Sequence, residues 1–158
     1  MSEYADNDIL DLSHQWTCGL PRELGEFIQA LSVVERGIRP LIAEHVHYYE
    51  EILPSLLVGD IARWVSHIAQ ESDDPATRLR PLLARMEQAW GDGQSPVSDL
   101  IATSFVENVY DQPEVVRLLG PKLMHYWRAY TGCDHRCVSE KRFIREVVKR
   151  IARKSGWS

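Results

Sequence analysis

The feature that most constrains this chain is the spacing of apolar residues after Pro54. Leu57, Ile61, Trp64, Val65 and Ile68 recur at intervals of three and four. That period places side chains along one face of an α-helix. The same spacing returns on both sides of the segment. Leu24, Phe27, Ile28 and Leu31 follow Pro21, and Leu41, Ile42, His45, Val46 and Tyr49 mark a second helix from about Pro40 to Ile52. Leu79, Leu82, Leu83, Met86 and Trp90 form a fourth stripe, and Leu100, Ile101, Ser104, Phe105 and Val109 a fifth. No segment sustains the apolar/polar alternation, rich in β-branched residues, that marks a half-buried strand. The pattern predicts an all-α protein.

Punctuation sets the element boundaries. Proline is tolerated in the first turn of a helix because its missing N–H has no intrahelical partner there. Pro21 and Pro54 fit that role, and Ser72-Asp73-Asp74-Pro75 supplies an N-cap with a first-turn proline. Gly37 and Pro40 punctuate the approach to the second helix, and residues 91–96, Gly-Asp-Gly-Gln-Ser-Pro, make a turn. Ser95 or Ser98 caps the fifth helix. Gln112-Pro113 begins a sixth with Val115, Val116, Leu118 and Leu119. Gly120-Pro121 then imposes a kink or a fresh start, with Leu123, Met124 and Trp127 continuing the apolar pattern. A last helix, capped by Ser139, carries Ile144, Val147, Val148 and Ile151. Residues 1–20 read as a loose N-terminal arm with Trp16 as its bulky anchor. Residues 21–158 read as a single irregular bundle of about six to seven helices, without a linker or an internal repeat.

Composition narrows the class. A hydrophobic fraction of 44% with 26% charged residues is that of a globular domain. A chain of this length buries about 70% of its unfolded surface, enough for a core without staples. No apolar run approaches the ~20 residues that span a bilayer, so no membrane role is expected. The acidic start lacks the basic and apolar regions of a secretory signal. Three cysteines, few and odd in number, fit a cytoplasmic protein with reduced thiols.

The net charge of -5 conceals an asymmetry. Residues 1–60 carry 11 acidic and 3 basic side chains, residues 61–116 carry 9 and 4, and residues 117–158 carry 3 and 11. Between residues 141 and 158 seven Lys and Arg face one acid, Glu146. A basic final helix can neutralise phosphates. The same cations can instead favour a helix C-terminus or pair with the acidic body.

Motifs for chemistry are absent. There is no nucleophile elbow, no Walker loop and no dinucleotide-binding glycine pattern. Glu44 and His47 form one Glu-x-x-His pair, whereas a di-iron bundle needs two such pairs and two further glutamates. Cys133-x-His135-x-Cys137 offers three donors, which Cys18 and His125 complete only if the fold brings them near. The reading is of ordinary thiols, no metal, no cofactor and no enzyme.

Two segments carry a family resemblance. One is Leu53–Val65, with Gly59-Asp60-Ile61-Ala62-Arg63-Trp64 at its centre; the other joins Ser104-Phe105-Val106-Glu107-Asn108 to Leu118-Leu119-Gly120-Pro121-Lys122-Leu123. Over about residues 50–125 the chain resembles a family of small bacterial helical proteins that look like immunity proteins of polymorphic or contact-dependent toxin systems. The resemblance implies a protein that binds a cognate toxin domain and occludes its active site or substrate surface. An acidic face suits a cationic cleft, steering encounter and taking the place of phosphates. The candidate contacts are Glu35, Glu44, Glu50, Glu51, Asp73 and Asp74, with Tyr48, Tyr49 and Trp90 as aromatic anchors. Asp60, Arg63, Glu107 and Asn108 are read as a polar network holding two central helices in register, and Gly59 as a point of close helix approach. The alternative function is nucleic-acid binding through the basic C-terminal helix.

Overall fold

Leu53 is the extended N-cap of the longest helix, and Pro54 occupies its first turn. In the computed structural model, which describes residues 19–132, this helix is the centre of the bundle. Element α1 spans Arg22–Val34, and a single 3-10 turn, Arg36–Ile38, leads into α2, Arg39–Tyr49. The central helix is α3, Pro54–Glu71, followed by α4, Pro75–Trp90. Next comes α5, Pro96–Leu100, which runs without a break into a π-helical stretch, Ile101–Val106, and then into α6, Glu107–Val109. Two further helices, α7 at Pro113–Val116 and α8 at Pro121–Thr131, complete the described residues, among which there is no strand. The protein is all-α.

The caps follow from the sequence. Asp74 accepts the Thr77 N–H at 3.3 Å at the head of α4. Ser95 and Ser98 form a reciprocal capping box: the Ser98 N–H donates to Ser95 Oγ at 3.1 Å, and the Ser95 N–H donates to Ser98 Oγ at 2.9 Å. Both serines expected as caps therefore act together. At Gly120-Pro121 a fresh helix begins, with Gly120 extended as the N-cap of α8.

Two boundaries differ from the pattern-based reading. The second helix ends at Tyr49 rather than near Ile52, because Glu50 adopts the left-handed conformation (φ 59°) and turns the chain. The sixth is a single turn of four residues, with Leu118 and Leu119 beyond its end. The expected arm with Trp16, Cys18, the Cys133–Cys137 segment and the basic final helix lie outside the described residues.

The core is one apolar cluster. Leu57, Ile61 and Val65 of α3 meet Leu79, Leu82 and Met86 of α4 and Ile101 and Phe105 of the π-helical stretch, all fully buried. The π-helical stretch packs most heavily on α3. Five of its six residues are buried, Thr103 being exposed. A segment apolar on nearly every side must be enclosed by its neighbours. This wide turn is the main feature that spacing alone does not reveal.

A groove lined by tyrosines and paired charges

α2 and α3 lie side by side, and each contributes a stripe of polar and aromatic residues at helical spacing. Leu41, Glu44, His45, Tyr48 and Tyr49 come from α2; Asp60, Arg63, Trp64 and His67 come from α3. Together they line an open groove of about 530 Å³. Tyr48 is 77% exposed and Tyr49 40%, large values for aromatic side chains. Their rings meet edge to face at 4.8 Å, and Tyr49 lies 4.7 Å from the His45 ring.

His45 is almost wholly buried. The Leu53 N–H donates to its Nε2 at 3.0 Å, so the neutral ring carries its proton on Nδ1. That Nδ1 is buried and has no hydrogen-bond partner. Burial disfavours the charged ring and lowers its pKa from the usual 6.5. The bond to Leu53 fixes the connection from α2 to α3, in which Glu50 and Glu51 stand exposed.

Trp64 is secured from behind the groove. The Arg78 guanidinium lies over its ring, 5.3 Å from the centroid, and pairs with Glu35 Oε2. Glu35 Oε1 accepts the Gly37 N–H at 2.8 Å. A Cβ on Gly37 would lie 2.8 Å from Glu35, Arg78 and Trp64 at once, so glycine is required there by close approach. Glu35 is only 5% exposed. It therefore departs from its expected place on an open acidic face: it is a buried brace joining the 3-10 turn to α4.

The remaining candidates do not form one surface. Glu44, Tyr48 and Tyr49 share the groove, and Glu50 and Glu51 follow Tyr49 as exposed residues outside its lining. Asp73 and Asp74 follow the C-terminus of α3, the opposite end of that 18-residue helix from Glu50 and Glu51, and neither lines the groove. Asp74 is also engaged: the Thr77 hydroxyl and amide donate to it and hold its carboxyl below the usual range. Trp90 lines a second groove of about 540 Å³ with Asp92, Lys122, His125 and Tyr126, its ring 5.5 Å from that of Tyr126.

The four-residue polar network divides into separate pairs. Asp60 and Arg63 pair along the groove side of α3. Glu107 instead accepts the Tyr126 hydroxyl at 2.8 Å, and the Asn108 side-chain amide donates to the Ser104 carbonyl at 2.7 Å. A hydrogen bond within one helix or to α8 does not set the register of α3. Burial raises the Glu107 carboxyl above 4.5, opposed by the Tyr126 bond. Gly59 is also less crowded than expected, since a Cβ there would meet only Asn108 Nδ2, at 3.9 Å.

One structural brace had no sequence signal beyond the resembling Leu-Leu-Gly-Pro segment. The Glu87 carboxylate accepts the Lys122 N–H at 2.8 Å and the Leu123 N–H at 3.1 Å, capping α8 from α4. Among the described residues, no group of three or more His, Cys, Asp or Glu is placed to hold a metal ion. None of their helices is long and apolar enough to cross a membrane.

Fold and site together define an all-helical bundle that presents an open, tyrosine-rich groove between two helices. The chain belongs to the family described as a domain of unknown function, DUF7674, whose model matches residues 29–133. The match takes in both groove helices and the Gly59–Trp64, Ser104–Asn108 and Gly120-Pro121 segments. Comparison with curated proteins and with solved structures finds no match.

Proposed function

We propose that this protein binds and neutralises a cognate bacterial toxin domain, covering the toxin's active site or substrate surface through the face that carries the α2–α3 groove. The observation that carries this reading is the exposure of Tyr48 and Tyr49 beside Glu44, Glu50 and Glu51. Exposed aromatics among acidic side chains supply anchors for an interface and a field that attracts a cationic cleft. Residues 40–62 contain four acidic residues and neither Lys nor Arg. The resemblance to immunity proteins points the same way. The action is occlusion, with no turnover and no cofactor, in the cytoplasm where the toxin would act.

Co-expression with the toxin encoded beside it is the direct test. Growth should be rescued by the wild-type chain and lost with Tyr48→Ala combined with Glu44→Lys. Failure to bind or neutralise any adjacent toxin removes the proposal. Nucleic-acid binding through the basic C-terminal segment is the second reading, supported by residues 141–158, which hold seven Lys and Arg against Glu146 alone. A salt-sensitive gel shift with RNA or DNA, abolished by Arg145→Glu plus Lys149→Glu, supports it; no binding at low salt rejects it.

A further inference from the structure

We infer that the α2–α3 groove takes a basic, extended segment of the protein partner, and that His45 reads the segment's main chain by donating Nδ1–H to one of its carbonyl oxygens. This deepens the proposed function and rests on its assignment of a protein partner to this face.

Three independent observations converge on it. The first is the orphaned donor. A buried N–H without an acceptor forfeits the hydrogen bond it made in water, so a native structure that keeps one calls for an explanation. His45 lines the groove, its Nε2 edge is occupied by the Leu53 N–H, and its Nδ1 is left without a partner. The Tyr49 ring packs against this imidazole and is itself 40% exposed. For an acceptor arriving from the groove to reach Nδ1, the exposed Tyr49 ring must turn aside.

The second observation is charge. Among the described residues, Arg63 is the one Lys or Arg that lines the groove, and Asp60 already pairs with it. Glu44 in the wall, and the exposed Glu50 and Glu51 that follow Tyr49, lack such a partner among the hydrogen bonds and ion pairs of the described residues. The surplus is negative, which suits Lys or Arg and disfavours phosphate. The third is the tyrosine pair, whose faces favour a guanidinium or ammonium group by cation–π attraction. An acceptor alone describes any polar ligand, and a cation alone describes any amine. A basic peptide carries both at the spacing of a main chain.

The test uses the full chain and the octapeptide of alternating glycine and arginine with blocked ends. Saturable binding that weakens with salt, together with movement of the His45 Nδ1–H resonance, is expected. His45→Gln places a side-chain oxygen where Nε2 accepts from Leu53 and carries its N–H donors on the amide end, away from the Nδ1 position. It should keep the melting temperature within a few degrees and weaken peptide binding about tenfold, the order expected for losing one hydrogen bond. In the wild type, the resonance measurement reports on the donor without any substitution. Binding by His45→Gln within twofold of wild type, an unmoved Nδ1–H, or no peptide binding at low salt overturns the inference. The outcome is separable from the toxin assay. Neutralisation by a His45→Gln chain that binds the peptide like the wild type leaves the immunity reading standing and removes this one, whereas peptide binding without any neutralised toxin does the reverse.

Discussion

Gly120→Ala tests whether the brace between α4 and α8 operates as described. Gly120 has φ -68° and ψ 171°, a backbone conformation open to any residue, so alanine introduces no strain of its own there. Its methyl group would sit 2.5 Å from Glu87 Oε2 and 2.7 Å from Glu87 Cγ, so the Glu87 side chain must swing away. Displacement removes the two bonds to the Lys122 and Leu123 amides, at 2.8 and 3.1 Å. A charged cap with one exposed and one partly buried bond is worth about 1–2 kcal/mol. Against this, Gly→Ala restricts the unfolded chain and contributes about 0.4–1 kcal/mol of stability where the site accommodates the methyl. The net expectation in the wild-type background is a loss of about 1 kcal/mol, a fall of roughly 2–4 °C in melting temperature for a chain of this size. In a Glu87→Ala background the obstruction is gone, and Gly120→Ala should instead stabilise by about 0.5 kcal/mol. Urea unfolding of the four chains of this double-mutant cycle measures the sign reversal. If Gly120→Ala has the same effect with and without Glu87, the close approach is not what requires glycine, and the reasoning fails.

Other expectations are as direct. Gly59→Ala, at a helical site with room for the methyl group, should stabilise by about 0.5–1 kcal/mol in urea unfolding; a loss shows tighter packing against Asn108 than 3.9 Å implies. Arg78→Ala leaves the buried Glu35 carboxylate without its cation and should destabilise by about 2–3 kcal/mol, with altered Trp64 fluorescence; a change below about 0.5 kcal/mol, the ordinary surface range, rejects the brace. His45 is depressed below 6.5 in the folded state, so the unfolded chain binds its proton first. The stability that His45 confers is present above pH 6.5 and is lost as pH falls through the lower, folded value. The stability difference between wild type and His45→Gln, followed by urea unfolding from pH 8 to pH 5, should therefore shrink on acidification; a constant difference excludes the linkage. Glu107 is shifted the other way, above 4.5, so its contribution is fully present below pH 4.5 and lost as pH rises through the folded value. Glu107→Gln, which still accepts from Tyr126, should raise the melting temperature at pH 7 and leave it nearly unchanged at pH 4.

The limits of reading this chain from sequence are set by what spacing encodes. A period of three to four residues records which side of a helix is buried, and α3 and α4 follow it from their first-turn prolines to their ends. It does not record which helix lies alongside. The groove was therefore half legible: His45 and Tyr49 shared an expected face, as did Ile61 and Trp64, but no property of either stripe placed α2 against α3. Glu35 illustrates the same limit. Its sequence neighbours Arg36 and Gly37 suggest an exposed turn, while the cation that allows its burial, Arg78, lies 43 residues on. The expected network of Asp60, Arg63, Glu107 and Asn108 shows the same limit. Helical spacing carried across Ile101–Val106 still placed Val109 correctly in the core. It did not record that Tyr126 of α8 stands beside Glu107, whose carboxylate accepts from that hydroxyl and leaves Asp60 and Arg63 to each other.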